Sequence, residues 1–159
     1  MEIKNLISRS GMEYKLGLLM RGHLQYVKRN YQFNYIPDMI EGAVHIMTYA
    51  DDKMMHEDEE CFSFEVDQAV TVYILYPDIQ PVLPEWLAGY ERTRMNVTRM
   101  DSNADNLKGY FGVYKKDFPK GTVTMYGNSP KGMLEDEWYV SSFGSGYCMY
   151  SVCVIPKEN

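Results

Sequence analysis

Short runs in which apolar and polar residues alternate recur along the chain, and they predict β-strands. In "CFSFEV", Phe62, Phe64 and Val66 lie two residues apart, so an extended segment would place all three on one face. Comparable runs of aromatic and β-branched residues, each bounded by turn-forming residues, cover 23–27, 31–36, 43–49, 61–66, 69–76, 94–100, 110–116, 121–127 and 147–155. This pattern predicts an all-β, single-domain protein over residues 1–159, an antiparallel β-sandwich of jelly-roll type. Only 37–41 and 84–89 look helical, and both are short.

The segment 69–76 is apolar at its odd and at its even positions, so both of its faces would be buried. We therefore predict a central strand that lies between two layers. Pro77, Pro81 and Pro84 follow it in the sequence. Prolines reduce the entropy that is lost when a loop is fixed, which suits a loop that crosses the end of a sandwich.

Trp86 follows these prolines, and it has two interpretations. In the first, its ring plugs the end of the core together with Leu87. In the second, the ring is a platform on which a ligand such as a sugar stacks. The position directly after a buried strand favours the plug, and the sequence leaves the choice open.

Charge and composition argue against several classes of protein. The chain has 22 acidic and 16 basic residues and a net charge of −6, which disfavours nucleic-acid binding. No apolar run approaches the length of a membrane span, so we expect no membrane insertion. The stretch "MEIKNLISRSGMEY" lacks the apolar centre of a secretory signal, and an odd number of cysteines without a CxxC motif fits a reducing compartment. We expect a cytoplasmic or cytoskeletal location, with an extracellular one as the alternative.

The sequence contains no recognisable catalytic constellation. His23, His45 and His56 lack metal-ligand spacing, and His45 is expected to be a hydrogen-bonded structural residue. The carboxylates between 51 and 60 lack the frame of a calcium loop and predict a solvated acidic loop. No nucleophile elbow or phosphate-binding loop is present. We therefore expect no enzymatic activity, no cofactor and no metal.

Several segments, taken in order, resemble a β-sandwich module that is found beside bacterial polysaccharide lyases and in other multidomain extracellular proteins. They are "FNYIPDMIEGAVHIMTYADDK", "FSFEVDQAVTVYILY", "LPEWLAGYERT", "YFGVYKKDFPKGTVTMYGN" and the final "YSVCVI". The resemblance runs from about residue 20 to the end. It implies a non-catalytic accessory or adhesive domain, sometimes one that binds carbohydrate. Asp78-Ile79-Gln80 departs from the pattern, which has Asp-x-Arg there.

The sequence thus favours a non-enzymatic interaction or structural module within a larger protein assembly, for instance a cytoskeletal or axonemal one. An extracellular carbohydrate-binding module is the alternative, so the expected partners are proteins or carbohydrate. Tyrosine and methionine are frequent, and both adapt well to protein contacts. The candidate binding residues are Trp86 and, in the long Gly- and Ser-containing loop at 127–146, Trp138 and Tyr139. The acidic loop at 57–60 is a second expected contact region.

Overall fold

A computed structural model of the protein describes residues 1–78, 80, 82–100, 108–131 and 148–157. Two short 3₁₀ helices, η1 (Ala50–Met54) and η2 (Glu85–Gly89), accompany the strands. The strands are β1 (Ile3–Ser8), β2 (Lys15–Leu18), β3 (Tyr26–Val27), β4 (Gln32–Tyr35), β5 (Val44–Tyr49), β6 (Glu60–Val66), β7 (Val70–Pro77), β8 (Glu91–Met100), β9 (Lys108–Phe118), β10 (Gly121–Tyr126) and β11 (Ser151–Pro156).

The strands form two sheets of unequal size. The small sheet has the order β1-β6-β10, and the large sheet has the order β2-β5-β11-β7-β9-β8-β4. The short strand β3 pairs with β5 in parallel, and the other pairs between strands are antiparallel. The predicted all-β class and the antiparallel, jelly-roll-type sandwich are confirmed.

Strand β7 separates two hydrophobic clusters, one on each of its faces. Val72 and Ile74 belong to the cluster that the small sheet covers. Tyr73 and Leu75 belong to the second cluster, on the opposite face. The sequence prediction of a central strand buried between two layers is therefore confirmed. Burial on both faces explains why apolar residues occupy odd and even positions alike.

The large sheet curls around the second cluster. Five inter-strand spacings separate β5 from β4 in the sheet order, which in a flat sheet would be about 24 Å. Phe33 on β4 nevertheless contacts His45 on β5, with ring centroids 5.1 Å apart. Arg99 of β8 likewise reaches back to Tyr26 of β3, where its Nη1 donates to the tyrosine oxygen at 3.2 Å. The two ends of the sheet therefore approach each other.

Several local expectations differ from the structure. β1 and β2 were not predicted, because both are edge strands with half-exposed side chains and no strict alternation. The segment 37–41 is a turn and not a helix, whereas 84–89 does contain the 3₁₀ helix η2. The last strand begins at Ser151, so Cys148 precedes it. Cys148 and Cys153 consequently pack in the same cluster, although a single continuous strand would have placed them on opposite faces; both are free thiols.

The region 51–60 is less solvated than its charge predicts. Asp52 is buried, and its carboxylate accepts hydrogen bonds from the hydroxyls of Ser10, at 2.9 Å, and Tyr14. Glu57 is also buried, and its backbone N–H donates to the Ser129 carbonyl at 2.9 Å. Burial of a carboxylate is tolerated where hydrogen bonds replace its water. The prediction of a solvated acidic loop was wrong at these two positions.

His45 is buried as a structural residue, but its hydrogen bonding differs from the prediction. Its Nε2 has no hydrogen-bond partner among the described residues. Burial, with a smaller contribution from His23, lowers the pKa of His45 to about 3. The imidazole is therefore neutral at physiological pH. Among the described residues, no helix is long and apolar enough to cross a membrane.

Candidate aromatic binding groove

Helix η2 places Trp86 at the end of the sandwich. Pro84 precedes the helix in an extended conformation and is buried. The side-chain Oε2 of Glu57 accepts a hydrogen bond from the backbone N–H of Glu85 at 3.1 Å. A carboxylate at the first N–H groups of a helix satisfies donors that have no partner within the helix. The buried Glu57 thus fixes the start of the helix that carries Trp86.

The indole of Trp86 is half-buried and held by polar and aromatic contacts. Its Nε1 donates to the carbonyl of Gly127 at 2.9 Å. Its ring meets Tyr150 edge to face, with centroids 5.2 Å apart, and Tyr90 with centroids 5.9 Å apart. Such contacts fix the plane of the ring. Trp86 packs on the first cluster and keeps one side toward solvent, so its position accommodates both interpretations of the residue.

The backbone at Gly127 is held against the neighbouring loop. A Cβ atom at this position would lie 1.8 Å from the carbonyl oxygen of His56, so only glycine fits without movement of the backbone. The next residue, Asn128, is fully buried, and its Oδ1 accepts the N–H of Tyr150 at 3.1 Å while its Nδ2 donates to the Cys148 carbonyl at 3.2 Å. The acceptor of the Trp86 indole is therefore part of a rigid corner.

An open groove of about 300 Å³ lies beside Trp86, and we call it the aromatic groove. It runs between the large sheet at β9 and the outer edge of β10. Strand β10 pairs with β6 on one side, and no described strand pairs with its other side. The described residues that line the groove are Trp86, Tyr90, Lys116, Phe118, Thr122, Thr124, Met125 and Tyr126.

The groove combines aromatic rings with a few polar groups. The ammonium of Lys116 lies 5.6 Å from the ring centre of Tyr90 and 5.3 Å from that of Phe118, within the range of cation–π attraction. Burial raises the pKa of Tyr90, so its phenol stays neutral, and the hydroxyl donates to the sulfur of Met125. Thr122 and Thr124 add two hydroxyls at the rim. An apolar wall with a few convergent polar groups is typical of small-molecule sites.

The structure brings together one predicted residue with several that the sequence did not single out. Trp86 lies in the groove, whereas Trp138 and Tyr139 lie outside the described residues. Tyr90, Phe118 and Tyr126 come from the start of β8, the end of β9 and the end of β10. No sequence motif joins these positions, because the pairing of β10 with β6 and the position of β9 bring them together.

Gln80 occupies the position at which the resembled module has arginine. It is buried, and its Nε2 donates to the hydroxyl of Tyr76 at 2.8 Å. The Tyr76 hydroxyl in turn donates to the Asn128 carbonyl at 3.0 Å. Gln80 thus supplies a neutral polar contact to the corner that supports Trp86.

Nearly the whole chain is similar in structure to parts of larger enzymes. A β-glucuronidase of glycoside hydrolase family 2 matches 96% of this chain with a TM-score of 0.74 and 21% identity, and the match covers 14% of the enzyme. A GH138 enzyme targeting pectin rhamnogalacturonan II matches 92% of the chain with a TM-score of 0.58 and 12% identity, and here 16% of the enzyme is covered. No protein-family model and no curated protein matches the sequence.

These likenesses show the fold. The chain spans about one-seventh of the length of these structures, so it corresponds in each to one small β-domain. The neighbours are glycoside hydrolases, and the link to polysaccharide lyases stays a prediction.

Proposed function

We propose that this chain is a non-catalytic accessory domain that binds carbohydrate in the aromatic groove. The observation that carries the proposal is the groove itself, where Trp86 and Tyr126 flank a cleft that also holds Lys116 and two threonines. Sugar rings present C–H faces that pack on aromatic side chains and hydroxyls that need hydrogen-bond partners. The groove offers both kinds of contact.

The structural neighbours support a carbohydrate-related role. Both are glycoside hydrolases, and in each the matched part is a small fraction of the chain. A domain of this size beside a catalytic domain is suited to hold an enzyme on its substrate. Once the accessory domain has bound the polysaccharide, the linked catalytic domain meets that substrate at a raised effective concentration.

The chemistry of the groove argues against hydrolysis. Most glycoside hydrolases act through a pair of carboxylates that flank the scissile bond. The described residues that line the groove include no aspartate, glutamate or histidine. The described part of the chain also holds no cluster of three or more His, Cys, Asp or Glu side chains that would bind a metal ion. Binding is therefore the chemistry that these residues support.

The proposal is tested by calorimetric titration with a panel of soluble oligosaccharides. Tyr126→Ala and Lys116→Ala change exposed groove residues, and Leu16→Ala changes an exposed residue on the distant strand β2 as a matched control. We expect saturable binding that weakens by about threefold to tenfold in the groove variants and is unchanged in the control. Binding that all three variants retain would contradict the assignment to the groove.

A second candidate is an interaction module within a protein assembly, and the unpaired side of β10 favours it. An exposed strand edge can accept an extended segment of another protein as an added strand. Crosslinking of the native protein in an extract, followed by mass spectrometry, tests this candidate. Crosslinks from Lys116 and Lys120, which flank this edge, to one specific protein would support it. The absence of such crosslinks together with glycan binding would refute it.

A further inference from the structure

A second aromatic surface lies on the large sheet, away from Trp86. Tyr35 on β4 is paired with Thr98 on β8, and Thr98 is paired with Tyr110 on β9. Directly opposed residues of antiparallel strands project from the same face. The three side chains therefore form a row across three strands, and we call it the tyrosine face.

Both tyrosines of this row are displayed to solvent. The exposed fraction is 48% for Tyr35 and 55% for Tyr110. The opposite face of the same strands is buried, since Val97 and Phe111 are both fully buried in the second cluster. The hydrophobic core therefore does not require these two rings, and both are available for an interaction beside the register shift in the pairing of β4 with β8.

The spacing and the neighbours of the rings suit an extended polar ligand with apolar faces. Tyr35 and Tyr110 are two strand spacings apart, which is about 10 Å, a separation too long for one sugar ring and suited to every second unit of an oligosaccharide. Thr98 lies between them and accepts the backbone N–H of Tyr35 at 3.1 Å, so its own hydroxyl proton is available to a ligand. Asn96, two residues along β8 on the same face, is exposed.

The charge beside the row is positive at the Tyr35 end. The guanidinium of Arg21 lies 5.9 Å from the ring centre of Tyr35, and Arg21 is in no ion pair among the described residues. Toward β9, the guanidinium of Arg92 donates to Asn96 Oδ1 at 2.9 Å and lies above Gly112, beside the carboxylate of Asp78. The Arg92 guanidinium is already engaged by hydrogen bonds to Asn96 and to the Met95 carbonyl, so we assign the pairing with a ligand to Arg21.

We infer that the tyrosine face is a binding site for an acidic oligosaccharide. One sugar ring packs beside the pair formed by Tyr35 and Arg21 and places its carboxylate at Arg21, whose planar guanidinium matches that group. The next part of the chain crosses Thr98 and packs on Tyr110. This site goes beyond the proposed function, because it is separate from the aromatic groove and shares no lining residue with it.

The test is a calorimetric titration of the full chain with oligogalacturonates and with neutral oligosaccharides of the same length. Tyr110→Ala should weaken binding of the oligogalacturonate by about fivefold to tenfold, whereas Tyr110→Phe, which keeps the ring, should bind nearly as well as the wild type. Arg21→Gln should abolish the preference for the acidic over the neutral chain. The preference should also fall as salt is raised.

Three controls separate this site from the groove and from a loss of folding. Leu16→Ala should leave the titration unchanged, and thermal melts should show that each variant is folded. Tyr126→Ala in the groove should not alter the preference for the acidic chain. If Tyr126→Ala abolishes that preference, or if Tyr110→Ala and Arg21→Gln both bind as the wild type does, the tyrosine face is not the site. If only the groove proposal is wrong, Tyr126→Ala will not affect binding of any oligosaccharide, whereas Tyr110→Ala and Arg21→Gln will still weaken or alter binding of the oligogalacturonate.

Discussion

The aromatic groove and the tyrosine face lie on the same face of strand β9, toward its opposite ends. Lys116 and Phe118 line the groove, and Tyr110 of the tyrosine face lies six and eight residues from them, or about 20 and 26 Å along the strand. In the groove, the rings also complete the core, since Trp86, Tyr90 and Phe118 pack on the first cluster. The tyrosines of the face contribute nothing comparable to either cluster.

This difference shows that aromatic residues on one sheet can have separable roles. In the proposed site, a groove residue such as Trp86 would couple binding to stability, because one side of the ring packs on the core while the other faces solvent. We expect that Tyr35 or Tyr110 of the tyrosine face can change with little cost to the stability of the fold. The following substitutions test that contrast, from the largest expected effect to the smallest.

Gly127→Ala should cause the largest loss of stability. Its Cβ would lie 1.8 Å from the backbone oxygen of His56, and a backbone atom cannot move aside as a flexible side chain can. We expect the free energy of unfolding to fall by about 3 kcal/mol or more, as measured by urea denaturation. Gly17→Ala is the matched control, since its Cβ would meet only Met47 Cε at 3.6 Å. Equal midpoints for the two variants would show that the corner behind Trp86 is not rigid.

Trp86→Ala should destabilise the protein by about 2–4 kcal/mol, slightly less than a fully buried tryptophan would. The substitution removes the contact with Tyr150 and leaves the Gly127 carbonyl without its indole donor. Trp86→Phe should recover part of the packing without the hydrogen bond. A melting temperature that stays at the wild-type value in Trp86→Ala, measured by circular dichroism, would make the ring a platform alone.

Acid should destabilise the fold as a whole, because unfolding exposes the buried His45 to protonation. The pKa of His45 is about 3 in the folded protein and near 6.5 when unfolded, so the unfolded state binds the proton first as pH falls. Stability that is present above pH 6.5 is therefore lost progressively down to about pH 3, and the loss from this group reaches about 2 kcal/mol at pH 5. The free energy of unfolding, measured by urea denaturation at pH 7 and at pH 5, should differ less between the two pH values in His45→Leu than in the wild type. His23→Gln, which changes an exposed histidine, should retain nearly all of the difference.

Gly112→Ala should lower the free energy of unfolding by less than Gly127→Ala does, although a Cβ at Gly112 would also make close contacts. Its Cβ would lie 2.8 Å from Arg92 Nη2 and 2.9 Å from Asp78 Oδ1, and both atoms are at the ends of side chains. Displacement of the Arg92 guanidinium would break its hydrogen bonds to Asn96 and to the β8 backbone, so we expect a loss of about 1–2 kcal/mol. A loss as large as that of Gly127→Ala would show that the tyrosine face is as tightly constrained as the groove.

Tyr110→Ala should have the smallest effect on stability, within about 0.5 kcal/mol of the wild type in urea denaturation. The ring is more than half exposed, and the core on the other side of the sheet is unchanged. A loss above 2 kcal/mol would mean that Tyr110 is a structural residue, and the contrast between the two surfaces would fail.

The sequence was most informative where a local pattern determines the environment. Largely apolar residues at both the odd and the even positions of 69–76 predict a strand buried on both faces, and β7 is such a strand. The edge strand β1 has the opposite character: its burial is only partial, so its sequence shows no clear period of two. The hydrophobic pattern is strongest in central strands and weakest at edges.

The groove could be predicted only in part, because its walls depend on contacts between distant segments. The prolines before Trp86 indicate a fixed loop at the end of a strand. The pairing of β10 with β6 and the close approach of Gly127 to His56 involve residues far apart in the sequence. Glu57 illustrates the same limit, since a run of charges predicts a solvated loop, whereas the Glu57 side chain is buried and accepts the backbone N–H of Glu85.

The most direct test of carbohydrate binding in the aromatic groove observes the indole of Trp86. The chain has two tryptophans, so its ¹H–¹⁵N spectrum should show two indole signals, and Trp86→Phe identifies the one from the groove. Titration with the oligosaccharide panel should move the Trp86 signal in a saturable way, and Tyr126→Ala should weaken that response. If no oligosaccharide moves this signal while the protein remains folded, the groove is not a carbohydrate site and the proposed function is wrong.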